Sequence, residues 1–233
     1  MKDAEMDEIL KKAAAAPHKV DSALLDRVAG SIQATLKPVR PLPPTWVLTT
    51  GLILICAIVG LAGAARAGFF GIEKMDLLQR VLIFSTLAIL VWLAGEEFTS
   101  ELIPGSRHRM TPGVLLGIGC LALTAVFAFI FRDYHIEHFV SAGFTCLFTG
   151  VLHAIPASIL SWLVLRRGFA VNAISAGLAG GALAGLTGVT LLELHCANFQ
   201  AFHILVWHTA VVPVTAALGA AVPWMLQRNR LAS

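Results

Sequence analysis

Apolar residues gather into six long runs, at 46–65, 77–95, 113–131, 139–165, 169–192 and 203–226, with short polar connections between them. A helix needs roughly 20 residues to cross the hydrocarbon of a bilayer, and each run is near that length. Lipid offers no partner to a free backbone amide or carbonyl, so each run must be helical. Short connections make consecutive helices antiparallel neighbours. The pattern therefore predicts an all-α fold, a polytopic membrane bundle of six transmembrane helices. The fourth run is long, so it tilts or begins before the hydrocarbon. Within the fifth, Gly177, Gly181 and Gly185 recur every four residues. This doubled GxxxG stripe lets a second helix come close, and bundle packing is its ordinary role. A substrate path along the stripe is the other reading.

A different pattern precedes the first run. Residues 1–45 are mostly polar, but Leu24, Leu25, Val28, Ile32 and Leu36 recur at the spacing of one helical face. Asp21 can cap the start of that helix by accepting amide hydrogens, and Pro38 ends it. Met6, Ile9, Leu10 and Ala13 repeat the pattern more weakly before Pro17. A proline-rich stretch, KPVRPLPPTW, then leads into the first run. An isolated helix of this length is marginal in water. Its stripe is expected to be buried on the membrane surface, on the bundle, or on a partner protein. No apolar core with a small-residue cleavage site occurs in 1–45, so a cleavable signal peptide is not expected. The chain thus divides into an N-terminal tail (1–45), a membrane domain (46–226) and a C-terminal tail (227–233).

Composition agrees with a membrane protein. Charged residues make up 13% of the chain, about half the share of an ordinary soluble domain. Net charge is only +3, which leaves no footprint for direct binding of nucleic acid. The distribution of basic residues sets the orientation. Lys2, Lys11, Lys12, Lys19, Arg27, Lys37 and Arg40 precede the first run. Arg107 and Arg109, Arg166 and Arg167, and Arg228 and Arg230 fall on the same side of the membrane. The other side has Arg66, Lys74 and Arg132, with Arg80 just inside the second run. Both termini are therefore expected in the cytoplasm. The connection Glu193-Leu194-His195-Cys196-Ala197-Asn198-Phe199-Gln200-Ala201-Phe202-His203 has no Lys or Arg and is expected to face outward.

That connection concentrates reactive groups in a chain poor in them. Asp133, His135, Glu137, His138, Glu193, His195, Cys196 and His203 are outward-facing candidates, and Cys146 and His208 fall in the outer half of their runs. Cys56 is near mid-membrane and Cys120 is in the inner third, so only Cys146 and Cys196 can meet at the outer side. An oxidising periplasm permits a disulfide between them. A bridge needs Cα atoms within about 7 Å, and Cys146 lies about 10 Å below the start of its helix; two inert thiols are the alternative. Metal is a competing reading. His135 and His138, three apart, would share a face on a helical turn. With His195, Cys196 or Glu193 they offer donors suited to zinc, copper or a heavy metal. The four cysteines contain no CxxC, which argues against a disulfide framework or a standard zinc knuckle. His153, beside Pro156, is expected to hydrogen-bond a neighbouring helix. No HExxH, GxSxG or pair of intramembrane carboxylates occurs, so neither an enzyme nor a bound cofactor is expected. A small membrane transporter or metal-handling protein is the alternative class.

Three stretches carry a family resemblance: LKPVRPLPPTW, HAIPASILSWLVLRRGFAVN and AGLAGGALAGLTGVTLLELHCANFQAFHILVWH. The passage LHC…F…VWH after the glycine-striped helix is the most specific part. With six spans and a short N-terminal tail, the chain resembles the NrsF family of membrane anti-sigma factors over nearly its whole length. These are negative regulators of extracytoplasmic-function sigma factors. The resemblance implies a sigma factor of RNA polymerase as partner, held at the membrane by the N-terminal segment. By position that segment is Leu24 to Leu36, followed by Arg40-Pro41-Leu42-Pro43-Pro44. It also implies signal sensing by a pair of outward-side cysteines, which by position are Cys146 and Cys196. Release would follow an envelope, redox or metal stress, with a heavy-metal ion as one candidate signal.

Overall fold

The computed structural model describes Glu8, Lys11, Lys12 and residues 22–35, 43–106, 110–168 and 170–232. The chain divides into two units, Met1–Leu42 and Pro43–Ser233. Among its described residues the first contains α1 (Ser22–Thr35). Its apolar residues Leu24, Leu25, Val28 and Ile32 are all exposed, at 46–54%. Leu36, the last position of the sequence pattern, falls outside the described residues, as does the capping candidate Asp21.

The second unit contains α2 (Thr45–Ala67), the short α3 (Phe70–Lys74), α4 (Leu77–Glu101), α5 (Pro112–Ile130), α6 (Phe139–Leu165) and α7 (Ala173–His195). A short α8 (Ala201–His203), a π-helical turn (Ile204–His208) and α9 (Thr209–Ala232) complete it. Six of these segments are long and apolar enough to cross a membrane, the last being the continuous span Ala201–Arg228. The described residues form no β-strand; one isolated bridge joins Asp133 and Gln200.

Helix ends follow local chemistry that hydropathy does not register. α4 starts at a capping box, in which Asp76 accepts from the Gln79 amide and the Gln79 side chain accepts from the Asp76 amide. It runs past Gly95 to Glu101, because a helix continues into polar sequence once packing supports it. Thr111 caps α5, with Pro112 in the first turn where no amide hydrogen is needed. α7 begins at Ala173 rather than 169, since the Asn172 side chain accepts from the amides of Ile174 and Ser175.

α7 is the central helix. Its hydrophobic window is 78% buried, against 17–39% for the other five spans, and it touches all of them. Its sequence explains this placement: glycines and alanines alternate along it, so neighbours approach to backbone distance. A Cβ built on Gly177 would strike the carbonyl of Gly219, and one on Gly181 would strike that of Thr215. One on Gly185 would lie 2.8 Å from the Cα of Val212. The glycine stripe is thus the seam between α7 and α9. Large apolar residues on the surrounding helices, including Leu54, Ile58, Leu121, Phe129 and Phe144, are exposed, as lipid-facing positions would be.

Candidate functional site

The end of α7 is held from two directions. α3 lies across it so closely that a Cβ on Gly71 would be 2.6 Å from the carbonyl oxygen of Glu193 and 2.8 Å from that of Cys196. His195 donates through Nδ1 to the Gly68 carbonyl at 3.1 Å, and its ring meets Phe70. On the other side, the Ala201 amide donates to the Asp133 carbonyl at 2.6 Å. Phe199 packs on Phe131, and Phe202 on Tyr134. These contacts fix the connection 196–200 against the bundle, with Cys196 closing α7 by donating its amide hydrogen to the Leu192 carbonyl at 2.7 Å.

Four potential metal-ligating side chains converge there. Cys146, from the second turn of α6, places its Sγ 3.6 Å from the Sγ of Cys196. The Cys196 Sγ lies 3.7 Å from Nε2 of His203. One donor atom from each of Cys146, Cys196, His203 and His208 falls within 4.8 Å of all the others. Cys196 is 9% exposed, and both histidines 1%. His203 and His208 are five residues apart, which in an α-helix turns them about 140° from each other. The π-helical turn 204–208 winds the backbone wider and brings them to one side, with rings 5.3 Å apart, edge to face.

Glu193 supports this group from behind. Its Oε1 lies 2.6 Å from Nδ1 of His208, and both side chains are buried. In the neutral imidazole, a carboxylate accepting from Nδ1–H leaves Nε2 as the nitrogen that carries the lone pair. That Nε2, and Nδ1 of His203, are buried with no hydrogen-bond partner among the described residues. Hydrogen bonding to Cys146 pushes the Cys196 thiol above its ordinary range, and burial adds to this, so the cluster as it stands favours protonated Cys196.

Of the five residues that the sequence puts forward as metal ligands, Cys196 belongs to the cluster and Glu193 stands behind it. His135 is exposed in the connection before α6 and pairs with Asp133 at 2.6 Å. His138 sits at the N-cap of α6 with a left-handed backbone, φ 50°. His195 faces α3. Cys56 is buried within α2 and Cys120 lies half-buried in α5. His153 hydrogen-bonds within its own helix rather than to a neighbour, donating to the Thr149 carbonyl at 2.8 Å.

A family model described as NrsF, negative regulator of sigma F, matches residues 33–228. Comparison with curated proteins and comparison with solved structures each found no match. The matched stretch holds all six spans and the whole Cys–His–Glu cluster, while Leu24, Leu25, Val28 and Ile32 precede it. With that extent of match laid over a six-helix membrane bundle, the chain belongs to the NrsF family, the negative regulators of sigma F.

Proposed function

We propose that the protein is an anti-sigma factor of the bacterial inner membrane, with both termini in the cytoplasm. The apolar face of α1 holds an extracytoplasmic-function sigma factor and keeps it from RNA polymerase. The cluster around Cys146 and Cys196, on the outward side, senses an envelope, redox or metal stress and triggers release. Membership of a sigma-regulating family supports the partner, and the excess of basic residues on one side supports the orientation. The observation that carries the holding surface is the 46–54% exposure of Leu24, Leu25, Val28 and Ile32. Four apolar side chains on one face of a helix are the anchors of a helix-in-groove contact.

The magnitudes are compatible with a switch. A hundredfold loss of affinity for the sigma factor corresponds to about 2.8 kcal/mol. Joining two elements by a disulfide is typically worth about 2–4 kcal/mol. Cys146 is on α6 and Cys196 ends α7, so a new bond between them acts on a helix that touches all the other spans. The deciding experiment is affinity purification of the full-length protein in mild detergent from unstressed cells of its own host. A sigma factor is expected to co-purify, and to be lost after the inducing stress. Recovery of the intact protein without any sigma factor from unstressed cells would remove the reading.

A further inference from the structure

The cluster at the end of α7 has more structure than a thiol pair needs. Two buried imidazoles converge on the two sulfurs. One of them, His208, is oriented by a buried carboxylate and keeps Nε2 with no partner among the described residues, while His203 turns its Nε2 towards the Cys196 sulfur. Burying a polar atom without a partner is costly, so the unpartnered Nε2 of His208 beside two thiols and a second imidazole calls for an occupant. We propose that Cys146, Cys196, His203 and His208 form a tetrahedral site for one thiophilic divalent cation of the zinc and cadmium class, with Glu193 as the positioning residue behind His208. As a signal, this site rests on the regulatory reading above; as a binding site it does not.

Three features point to that ion class. The first is geometry. Zn–S bonds of about 2.3 Å and Zn–N bonds of about 2.05 Å at tetrahedral angles set two sulfurs about 3.8 Å apart and a sulfur and a nitrogen about 3.6 Å apart. The Sγ–Sγ separation is 3.6 Å and the Sγ–Nε2 separation is 3.7 Å. The second is the carboxylate. Glu193 on Nδ1 fixes the tautomer in which Nε2 of His208 can donate to a metal, the usual outer-shell arrangement of a metal-bound histidine. The third is charge. Binding converts two thiols to thiolates and releases two protons: M2+ + 2 RSH → M(SR)2 + 2 H+. The site then has the same net charge before and after, which a buried position tolerates. A monovalent ion on the same two thiolates leaves a buried negative charge.

The test uses the full-length protein purified in detergent, stripped of metal by a chelator, kept reduced with a phosphine and titrated with Cd2+. One ion per chain is expected, with a thiolate-to-cadmium charge-transfer band and two protons released per ion. Replacing both thiols (Cys146→Ser with Cys196→Ser) is expected to abolish the band, and His135→Ala to leave the titration unchanged. Glu193→Gln is expected to weaken binding about 10–100-fold while the stoichiometry stays at one. Cadmium NMR of the unmutated protein is expected to report a donor set of two sulfurs and two nitrogens, a readout that needs no variant to fold. A cadmium signal from an oxygen-rich donor set, or a titration the double-serine protein shares, overturns the site. So does a reduced protein with both thiols free and no band. If sigma factor co-purifies while no cadmium binds, the site alone fails. Tight cadmium binding that leaves sigma co-purification unchanged supports the site and removes the ion from the signalling mechanism.

Discussion

Glu193 and His208 lie 2.6 Å apart, carboxylate to imidazole, and each side chain is 1% exposed. They join the last turn of α7 to the π-helical turn before α9. Removing one member strands the other in the interior, which typically costs about 3–5 kcal/mol. Glu193→Leu is therefore expected to lower stability in detergent by that order. The double variant Glu193→Leu with His208→Leu is expected to recover most of the loss, because two apolar groups of similar shape can replace a buried polar pair at little cost. A double-mutant cycle read by thermal unfolding measures the coupling. Strictly additive losses would show that the two residues do not act as a pair.

The seam between α7 and α9 gives a sharper contrast. A Cβ on Gly181 would be 2.8 Å from the Cα of Ala216 and 3.0 Å from the carbonyl carbon of Thr215, and backbone cannot step aside as a side chain can. Gly181→Ala is expected to cost about 1–3 kcal/mol through overpacking. Gly117 on α5 has nothing within 4 Å of its Cβ position. There the same change is expected to be neutral or to stabilise by about 0.5–1 kcal/mol, the helix preference of alanine over glycine. Melting temperatures in one detergent compare the two directly. Equal effects at the two positions would remove close backbone contact as the role of the stripe.

These examples show which parts of the molecule the sequence announces. Six apolar runs are legible because lipid makes a long, uniform demand on composition, and the glycine stripe is legible because its period is that of a helix. α3 is not, since Phe70–Lys74 is too short for a hydropathy pattern, yet it covers the end of α7. The His203–His208 pair is hidden for a different reason. Spacing arguments assume 3.6 residues per turn, and the pair depends on a π-helical turn that breaks this period. Conversely, the three-residue spacing of His135 and His138 suggests a shared helical face, but His135 precedes α6 and His138 only caps it. In the sequence Glu193 is one of several outward-facing candidates. Its buried side chain pairs with His208 of the π-helical turn, a partner fifteen residues on that no local pattern encodes.

The connection before α6 carries a pH-dependent contact. A hydrogen bond from His135, with a further contribution from its charge, holds Asp133 below its ordinary value of 3.8. The same hydrogen bond raises His135 above its ordinary 6.5. A raised histidine stabilises most below 6.5 and loses the effect as pH rises through its folded value. A lowered carboxylate stabilises above 3.8 and loses the effect as pH falls through its folded value. The pair is thus strongest between 3.8 and 6.5. Asp133 also accepts the Ala201 amide through its backbone, so the protection of the Ala201 amide, the slowing of its exchange relative to the intrinsic rate at the same pH, is expected to be greatest in that window. Asp133→Asn is expected to bring the His135 titration, followed by NMR, back towards 6.5. A His135 midpoint that ignores this substitution would refute the pairing.

The exposed face of α1 gives the most direct test of the regulatory reading. Fully burying a leucine or valine side chain is worth about 1.5–3 kcal/mol, so two such anchors together account for a large share of a protein–protein contact. Leu25 and Val28 are 54% and 46% exposed, so replacing them breaks nothing in the helix interior. Leu25→Asp with Val28→Asp puts two charges where an apolar groove would have to receive them. The double variant is expected to reach the membrane at normal levels and retain at least tenfold less sigma factor on purification, a loss of about 1.4 kcal/mol or more. Transcripts that depend on the sigma factor are expected to rise without any stress. The matched control is Asp26→Asn, which leaves the apolar positions in place and is expected to keep repression intact. Sigma factor retained in full by the double variant would mean that the bundle or the connections hold the partner, and that the stripe on α1 serves something else.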